Sequence, residues 1–131
     1  MDIDDGRVIT NFISQALSRK PLTVYGDGSQ TRSFCYVSDL ISGIISMANL
    51  ETNPQSPINL GNPREFTILE LAKKVQSRFE SSLEFVDLPT DDPLQRKPDI
   101  SLARKILNWN PAVDIDEGLD LTLSFFRGRN V

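Results

Sequence analysis

At 131 residues, with 39% apolar and 24% charged side chains and a net charge of −4, the chain is sized for one modest domain. Its composition is neither that of a disordered nor that of a membrane-spanning protein. The acidic balance speaks against a nucleic-acid footprint, which needs clustered positive charge, and the absence of histidine removes Ser-His, Cys-His and His-ligated metal chemistry. The lone Cys35 cannot form an internal disulfide, and the opening Met-Asp-Ile-Asp-Asp lacks the basic flank and apolar run of a signal peptide. A cytoplasmic protein without a leader is therefore expected.

In chain order, Val8, Ile9, Phe12, Ile13, Ala16 and Leu17 follow helical spacing, with Asp4 or Asp5 as the cap and Lys20-Pro21 as the stop. Leu22, Val24 and Tyr25 read as a short strand. Gly26, Asp27, Gly28 and Ser29 supply a tight turn, and Phe34, Tyr36 and Val37 read as a second strand. The plain structural expectation for this unit is a hairpin. Asp39–Leu50, opened by a Ser38–Asp39 cap, is a second helix whose apolar residues cover more than one face, which hints at a missing partner surface. Ile58, Asn59 and Leu60 read as a short strand between prolines. Thr67-Ile68-Leu69-Glu70 is a capping-box pattern that opens a third helix with its stripe on Ile68, Leu71, Ala72, Val75 and Phe79. Leu83, Phe85 and Val86 alternate with Glu84 and Asp87 as in a half-buried strand. After the proline-stiffened loop from Leu88 to Pro98, Asp99 or Ser101 caps a short helix. Asp114 and Glu117 then open a last one, with Leu119, Leu123 and Phe126 on one stripe. Helix, two strands, helix, strand, helix, strand and two helices predict a mixed α/β assembly.

The chemistry centres on the stretch Leu22–Asp39. Gly26-x-Gly28 after a strand raises a dinucleotide fingerprint, but the third glycine position holds Thr31 and a strand, not a helix, is expected to follow. Neither acidic Asp-x-Asp fragment completes a calcium loop, because Ile13 or Phe125 stands where the bidentate Glu belongs. Neither Tyr25 nor Tyr36 has a lysine four positions on, so a Tyr-Lys proton-transfer pair is absent at helical spacing. What remains is Arg32, beside a glycine turn expected to leave backbone N–H groups free, and Arg96, in the rigid loop Gln95-Arg96-Lys97-Pro98. A guanidinium suits bidentate grip on phosphate. The plain alternative is a surface arginine paired with Asp91, Asp92 or Asp99. For Arg7 it is a pair with Asp4 or Asp5.

Several motifs occur together and in order: Asp5-Gly6-Arg7-Val8 with Asn11-Phe12, the run Leu22–Phe34, Tyr36-Val-Ser-Asp39-Leu40, Asn59-Leu-Gly-Asn-Pro63, Asp91-Asp-Pro, Gln95-Arg-Lys-Pro-Asp99, and Leu107-x-Trp109-x-Pro111. As a set they resemble the C-terminal part of the UDP-glucuronate decarboxylases (UDP-xylose synthases), in the extended short-chain dehydrogenase/reductase superfamily. Singly, the Arg-x-Phe-x-Tyr-Val-x-Asp and Arg-Lys-Pro-Asp elements are shared with sugar-nucleotide epimerases and dehydratases. The resemblance implies an α/β fold, the C-terminal substrate-binding portion of an extended short-chain dehydrogenase/reductase lacking the Rossmann NAD domain, with residues 1–131 as one nucleotide-sugar-binding domain. Enzymes of that family hold NAD on an N-terminal Rossmann domain, oxidise C4 of UDP-glucuronate, lose CO2 from the β-keto acid and reduce the ketone to UDP-xylose.

Carried over position by position, the segment Thr23–Arg32, with Thr23, Tyr25, Gln30 and Arg32, holds the uridine diphosphate, Arg32 lying on phosphate. Arg96 reaches the nucleotide-sugar and is the family's candidate acid for decarboxylation. Arg7 matches a position that touches the glucuronate. The glycine-rich NAD turn and the catalytic Tyr-Lys pair belong to a part of the family outside this sequence, so no residue here is expected to bind NAD or a metal. In the family the helix matching Asp39–Leu50 packs on the Rossmann sheet, so a Rossmann-domain chain or self-association is the expected partner. Three readings stay open: the UDP-sugar-binding portion of a decarboxylase, inactive alone; a non-catalytic nucleotide-sugar-binding module; or the matching part of an epimerase or 4,6-dehydratase.

Overall fold

A computed structural model describes residues 2–129. Five helices and four strands follow one another as α1 (Val8–Leu17), β1 (Leu22–Tyr25), β2 (Thr31–Ser33), α2 (Val37–Ala48), β3 (Glu65–Thr67), α3 (Ile68–Gln76), β4 (Leu83–Val86), α4 (Ser101–Leu107) and α5 (Ile115–Arg129). The order of helices and strands is the expected one.

The pairing is not. β1 runs parallel to β4, with Leu22 opposite Leu83 and Tyr25 opposite Val86. β2 runs antiparallel to β3, with Arg32 opposite Phe66 and Ser33 opposite Glu65. The expected hairpin between the first two strands is therefore replaced by two separate two-stranded sheets. The glycine turn does not fold the chain back on β1 but carries it across to a second layer. The strand placed at Phe34–Val37 lies three residues earlier, and Val37 already begins α2. The strand placed at Ile58–Leu60 is not one: the side-chain amide of Asn59 bonds the Asp99 carbonyl at 3.3 Å, and the strand β3 forms at Glu65–Thr67 instead.

The main core gathers Phe12 and Ala16 of α1, Leu22 and Val24 of β1, Ile68, Leu71, Ala72 and Val75 of α3, and Leu119 of α5. The apolar stripes of three amphipathic helices thus meet on one strand. Ile13 of α1 packs with Leu123 and Phe126 in a continuation of this core. A smaller cluster, Ile100, Ala103 and Trp109, gathers Ile58 and Leu60 beneath α4. α3 opens with the expected capping box: Thr67 Oγ1 accepts the Glu70 N–H at 3.0 Å, and the Glu70 carboxylate accepts the Thr67 N–H at 2.7 Å. Phe79 lies just past the end of α3 and packs only at the edge of the core. Phe85, expected to be half-buried, is 55% exposed: of the β4 residues only Leu83 packs against the core.

Asp39 is not the cap of α2. The helix starts two residues earlier, and the buried Asp39 carboxylate accepts the backbone N–H groups of Ala112 and Val113 at 3.0 and 2.9 Å. With Trp109 Nε1 donating to the Asp39 carbonyl at 3.0 Å, this fixes α2 to the segment before α5. Asp5 acts similarly one helix earlier: it stands two residues before Arg7, the N-cap of α1, and accepts the Arg7 N–H at 3.0 Å and the Thr10 hydroxyl at 2.5 Å.

Candidate functional site

The turn after β1 is built by two glycines at φ 63° and 75°. Four N–H groups between Gly26 and Thr31 are not free, contrary to expectation. Gly26 donates to the Val86 carbonyl at 2.7 Å, Gly28 to Tyr25 at 3.3 Å and Thr31 to Leu94 at 2.9 Å, while Ser29 donates to the Asp27 carboxylate at 2.9 Å. The hydrogen bonds from Ser29 hold the Asp27 carboxyl below its ordinary range. The turn's carbonyls serve α3: the N–H groups of Ile68 and Leu69 bond Gln30 and Gly28 at 3.0 Å each. The turn is thus a scaffold that aims the next strand, not an anion nest.

What it aims is Arg32. This side chain is only 16% exposed, and its Nη1 donates to the Thr31 carbonyl at 2.7 Å while Nη2 meets the Asp92 carboxylate at 2.8 Å. Asp92 belongs to the loop Leu88–Pro98, which runs along β2. Thr31 binds the Leu94 carbonyl, the Ser33 hydroxyl binds the Arg96 carbonyl at 3.3 Å, and the Gln95 amide binds Glu65 of β3 at 2.6 Å. Arg96 is therefore brought beside the residue that follows Arg32. Its own guanidinium is exposed and has no polar partner among the described residues. One arginine is held by an acid, the other is open, and both sit on one strand-and-loop unit.

The remaining residues fall into two groups. Thr23 and Gln30 are engaged in structure: Thr23 exchanges two hydrogen bonds with the Gln15 side chain of α1 at 2.9 and 3.0 Å, and the buried Gln30 amide bonds the Tyr25 carbonyl at 3.1 Å. Tyr25 and Arg7 are exposed. Arg7 lies 3.6 Å from Asp5, the pairing its plain reading anticipates. No hydrogen bond or ion pair among the described residues joins Arg7 to the Arg32 unit.

An open groove of about 750 Å³ lies beside the loop, with Arg64, Lys97, Asp99 and Arg104 on its wall, within the volume range of small-molecule clefts. Arg64 also lies 5.0 Å over the Phe66 ring. The cations at Arg64 and Arg104 were not foreseen, whereas the pairing of Arg32 with Asp92 is the plain alternative that the sequence offers for this arginine. For NAD, the cofactor that the resemblance implies, the residues present do not fit. A cradle would need open backbone at Gly28, yet the space of its missing Cβ is taken by Leu69 and Val24 at 2.9 Å each. Among the described residues no group of three or more Cys, Asp or Glu is placed to hold a metal, and no helix is long and apolar enough to cross a membrane.

Comparison with known proteins agrees with the fold. Residues 1–61 match the model of the NAD dependent epimerase/dehydratase family. The chain is 53% identical to UDP-glucuronic acid decarboxylase 3 of Arabidopsis thaliana over 98% of its own length and 38% of that protein. It is 50% identical to UDP-glucuronic acid decarboxylase 1 of Danio rerio over 96% of its length and 30% of that protein. Among solved structures, the UDP-glucuronic acid 4-epimerase of Bacillus cereus, in complex with UDP-glucuronic acid and NAD, superposes with a TM-score of 0.87 at 29% identity. The match covers 95% of this chain and 40% of that one. The chain spans about a third of the length of the curated relatives it matches. Its mixed α/β layers correspond to part of an extended short-chain dehydrogenase/reductase, and over its first 61 residues the chain is similar to the NAD dependent epimerase/dehydratase family.

Proposed function

We propose that this chain, as one nucleotide-sugar-binding domain, is the UDP-sugar-binding part of a UDP-glucuronate decarboxylase that converts UDP-glucuronate to UDP-xylose and CO2. NAD and the Tyr-Lys pair of that reaction are assigned to residues outside this sequence. The observation that carries the reading is the docking of the Leu88–Pro98 loop on β2, which gathers Arg32 and Arg96, 64 positions apart in the sequence, on one unit. The similarity to the two decarboxylases supports the choice of reaction. Arg32 takes the diphosphate, where a charge-assisted, bidentate contact has most to offer. The open Arg96 reaches the sugar side and is the candidate acid, and the adjoining groove gives room for the nucleotide-sugar. Tyr25 and Arg7 are the exposed candidates for further contacts, Arg7 toward the glucuronate. Thr23 and Gln30 hold the binding segment in place. A cytoplasmic setting belongs to the same proposal and is supported by the free Cys35.

Calorimetric titration with UDP tests it. The 131-residue chain is expected to bind UDP, and Arg32→Ala and Arg96→Ala each to weaken binding by about tenfold, the worth of one charge-assisted contact. Incubated with UDP-glucuronate and NAD, the chain alone is expected to release no CO2. No binding at millimolar UDP, or binding indifferent to both substitutions, contradicts the reading. The 4-epimerase neighbour supports a second assignment, to an epimerase. In the whole enzyme, UDP-galacturonate rather than UDP-xylose as product decides for it.

A further inference from the structure

We infer that Asp92 stands in for the ligand's phosphate on Arg32, so that nucleotide binding is an exchange of anions rather than the filling of an open cationic site. The inference rests on the nucleotide site proposed above and concerns how that site selects its ligand.

Arg32 is largely withdrawn from water, and a guanidinium so placed needs acceptors. It has two: the neighbouring Thr31 carbonyl at 2.7 Å and the Asp92 carboxylate at 2.8 Å. Only the second carries charge. A phosphate aimed at the same fork meets that carboxylate first. Two anions sharing one guanidinium repel each other, so one of them has to leave.

The loop is built in a way that lets Asp92 leave. Its far half is docked: Leu94, Gln95 and Arg96 are each bonded to β2 or β3. Its near half is a turn closed by one weak bond, Asp92 N–H to the Pro89 carbonyl at 3.3 Å. Asp92 itself is 31% exposed, so its carboxylate already borders on water. The turn can therefore give up Arg32 while Arg96 stays where it is. The exchange imposes a threshold. A ligand that brings a diphosphate wins the guanidinium, whereas a neutral nucleoside gains nothing from it and leaves Asp92 in place.

Titrations of UDP, inorganic pyrophosphate and uridine against the whole chain test this, with Asp92→Asn, Asp92→Ala and Asp91→Asn as variants. Asp91 carries the same charge one residue away and no polar contact with Arg32. Asp92→Asn and Asp92→Ala are expected to tighten UDP and pyrophosphate by about tenfold, the size of one charge-assisted contact. Uridine should be unchanged, and Asp91→Asn should have little effect on any of the three. Equal or weaker UDP binding in both Asp92 variants, with Arg32→Ala still weakening the parent chain, overturns the inference and leaves the nucleotide site standing, since Asp92 then orients Arg32 instead of competing for it. Equal tightening by Asp91→Asn also overturns it, because net charge alone would then account for the gain. If neither the parent nor any Asp92 variant binds UDP at millimolar concentration, the nucleotide-site reading itself fails and takes this inference with it.

Discussion

Gly28 shows how narrowly single residues set the geometry of this molecule. At φ 75° it occupies backbone that side-chain-bearing residues rarely adopt, and a Cβ there would stand 2.9 Å from both the Leu69 and Val24 side chains and 3.1 Å from the Leu69 nitrogen. Strain and overpacking add, so Gly28→Ala is expected to destabilise the chain by about 2–4 kcal/mol, read as a lowered urea midpoint at unchanged slope. Gly6, at φ 78° with open space around it, should lose no more than about 1 kcal/mol in the same test. A glycine turn was legible in the sequence, and so were Arg32 and Arg96, the latter through the company their motifs keep. The fate of the turn's N–H groups was not. Whether Gly26 and Thr31 have donors to spare depends on Val86 and Leu94, residues roughly sixty positions away, and no local pattern encodes that meeting.

Among the elements, helices were more legible than strands. Every helix has a period, and α3 and α5 also carry start signals that the structure uses, the Thr67–Glu70 box and Asp114 accepting the Glu117 N–H at 2.8 Å. β2 and β3 are three residues each, too short for alternation to register, and their pairing is a tertiary fact. The contact between α3 and α5 offers a prediction of its own. Lys74 of α3 and Arg78, just past its end, clasp Asp116 at 2.8 and 3.2 Å, and Arg78 reaches Asp120 at 2.6 Å. The Lys74 hydrogen bond, foremost, and that of Arg78 hold the Asp116 carboxyl below its ordinary value of 3.8. Because the folded state depresses this pKa, the contribution is present above pH 3.8 and is lost as pH falls through the lower, folded value. Asp116→Asn should therefore lower stability at pH 6 and converge with the parent chain below pH 3.8, followed by chemical unfolding at each pH. Asp116 is 52% exposed, so solvent screening keeps the difference at pH 6 under about 1 kcal/mol. A gap that widens toward acid pH would contradict the assignment.

At the scale of the whole molecule, one face is exposed and strongly apolar. α2 turns Asp39 and Gly43 inward against the Trp109 segment and leaves Val37, Ile41, Ile44 and Ile45 between 47% and 59% exposed. This excess was readable from a helix apolar nearly all round. The matched structure of the B. cereus epimerase extends well beyond the region this chain covers. The isolated chain is expected to bind a hydrophobic dye or self-associate, and Ile41→Lys with Ile45→Lys should abolish either behaviour while changing stability by less than about 1 kcal/mol. A monomer that binds no dye would leave the face without a partner to explain it.

The central claim is that Arg32 and Arg96 serve one ligand, and the side-chain Nε–Hε signals of the two arginines, followed by NMR during a UDP titration, test it most directly. Both signals are expected to move along one saturation curve with a shared midpoint, Arg32 as it changes partner and Arg96 as it gains one. Movement of only one of them, or two curves with separate midpoints, would show that the loop and the strand bring the arginines together without joining them in a site.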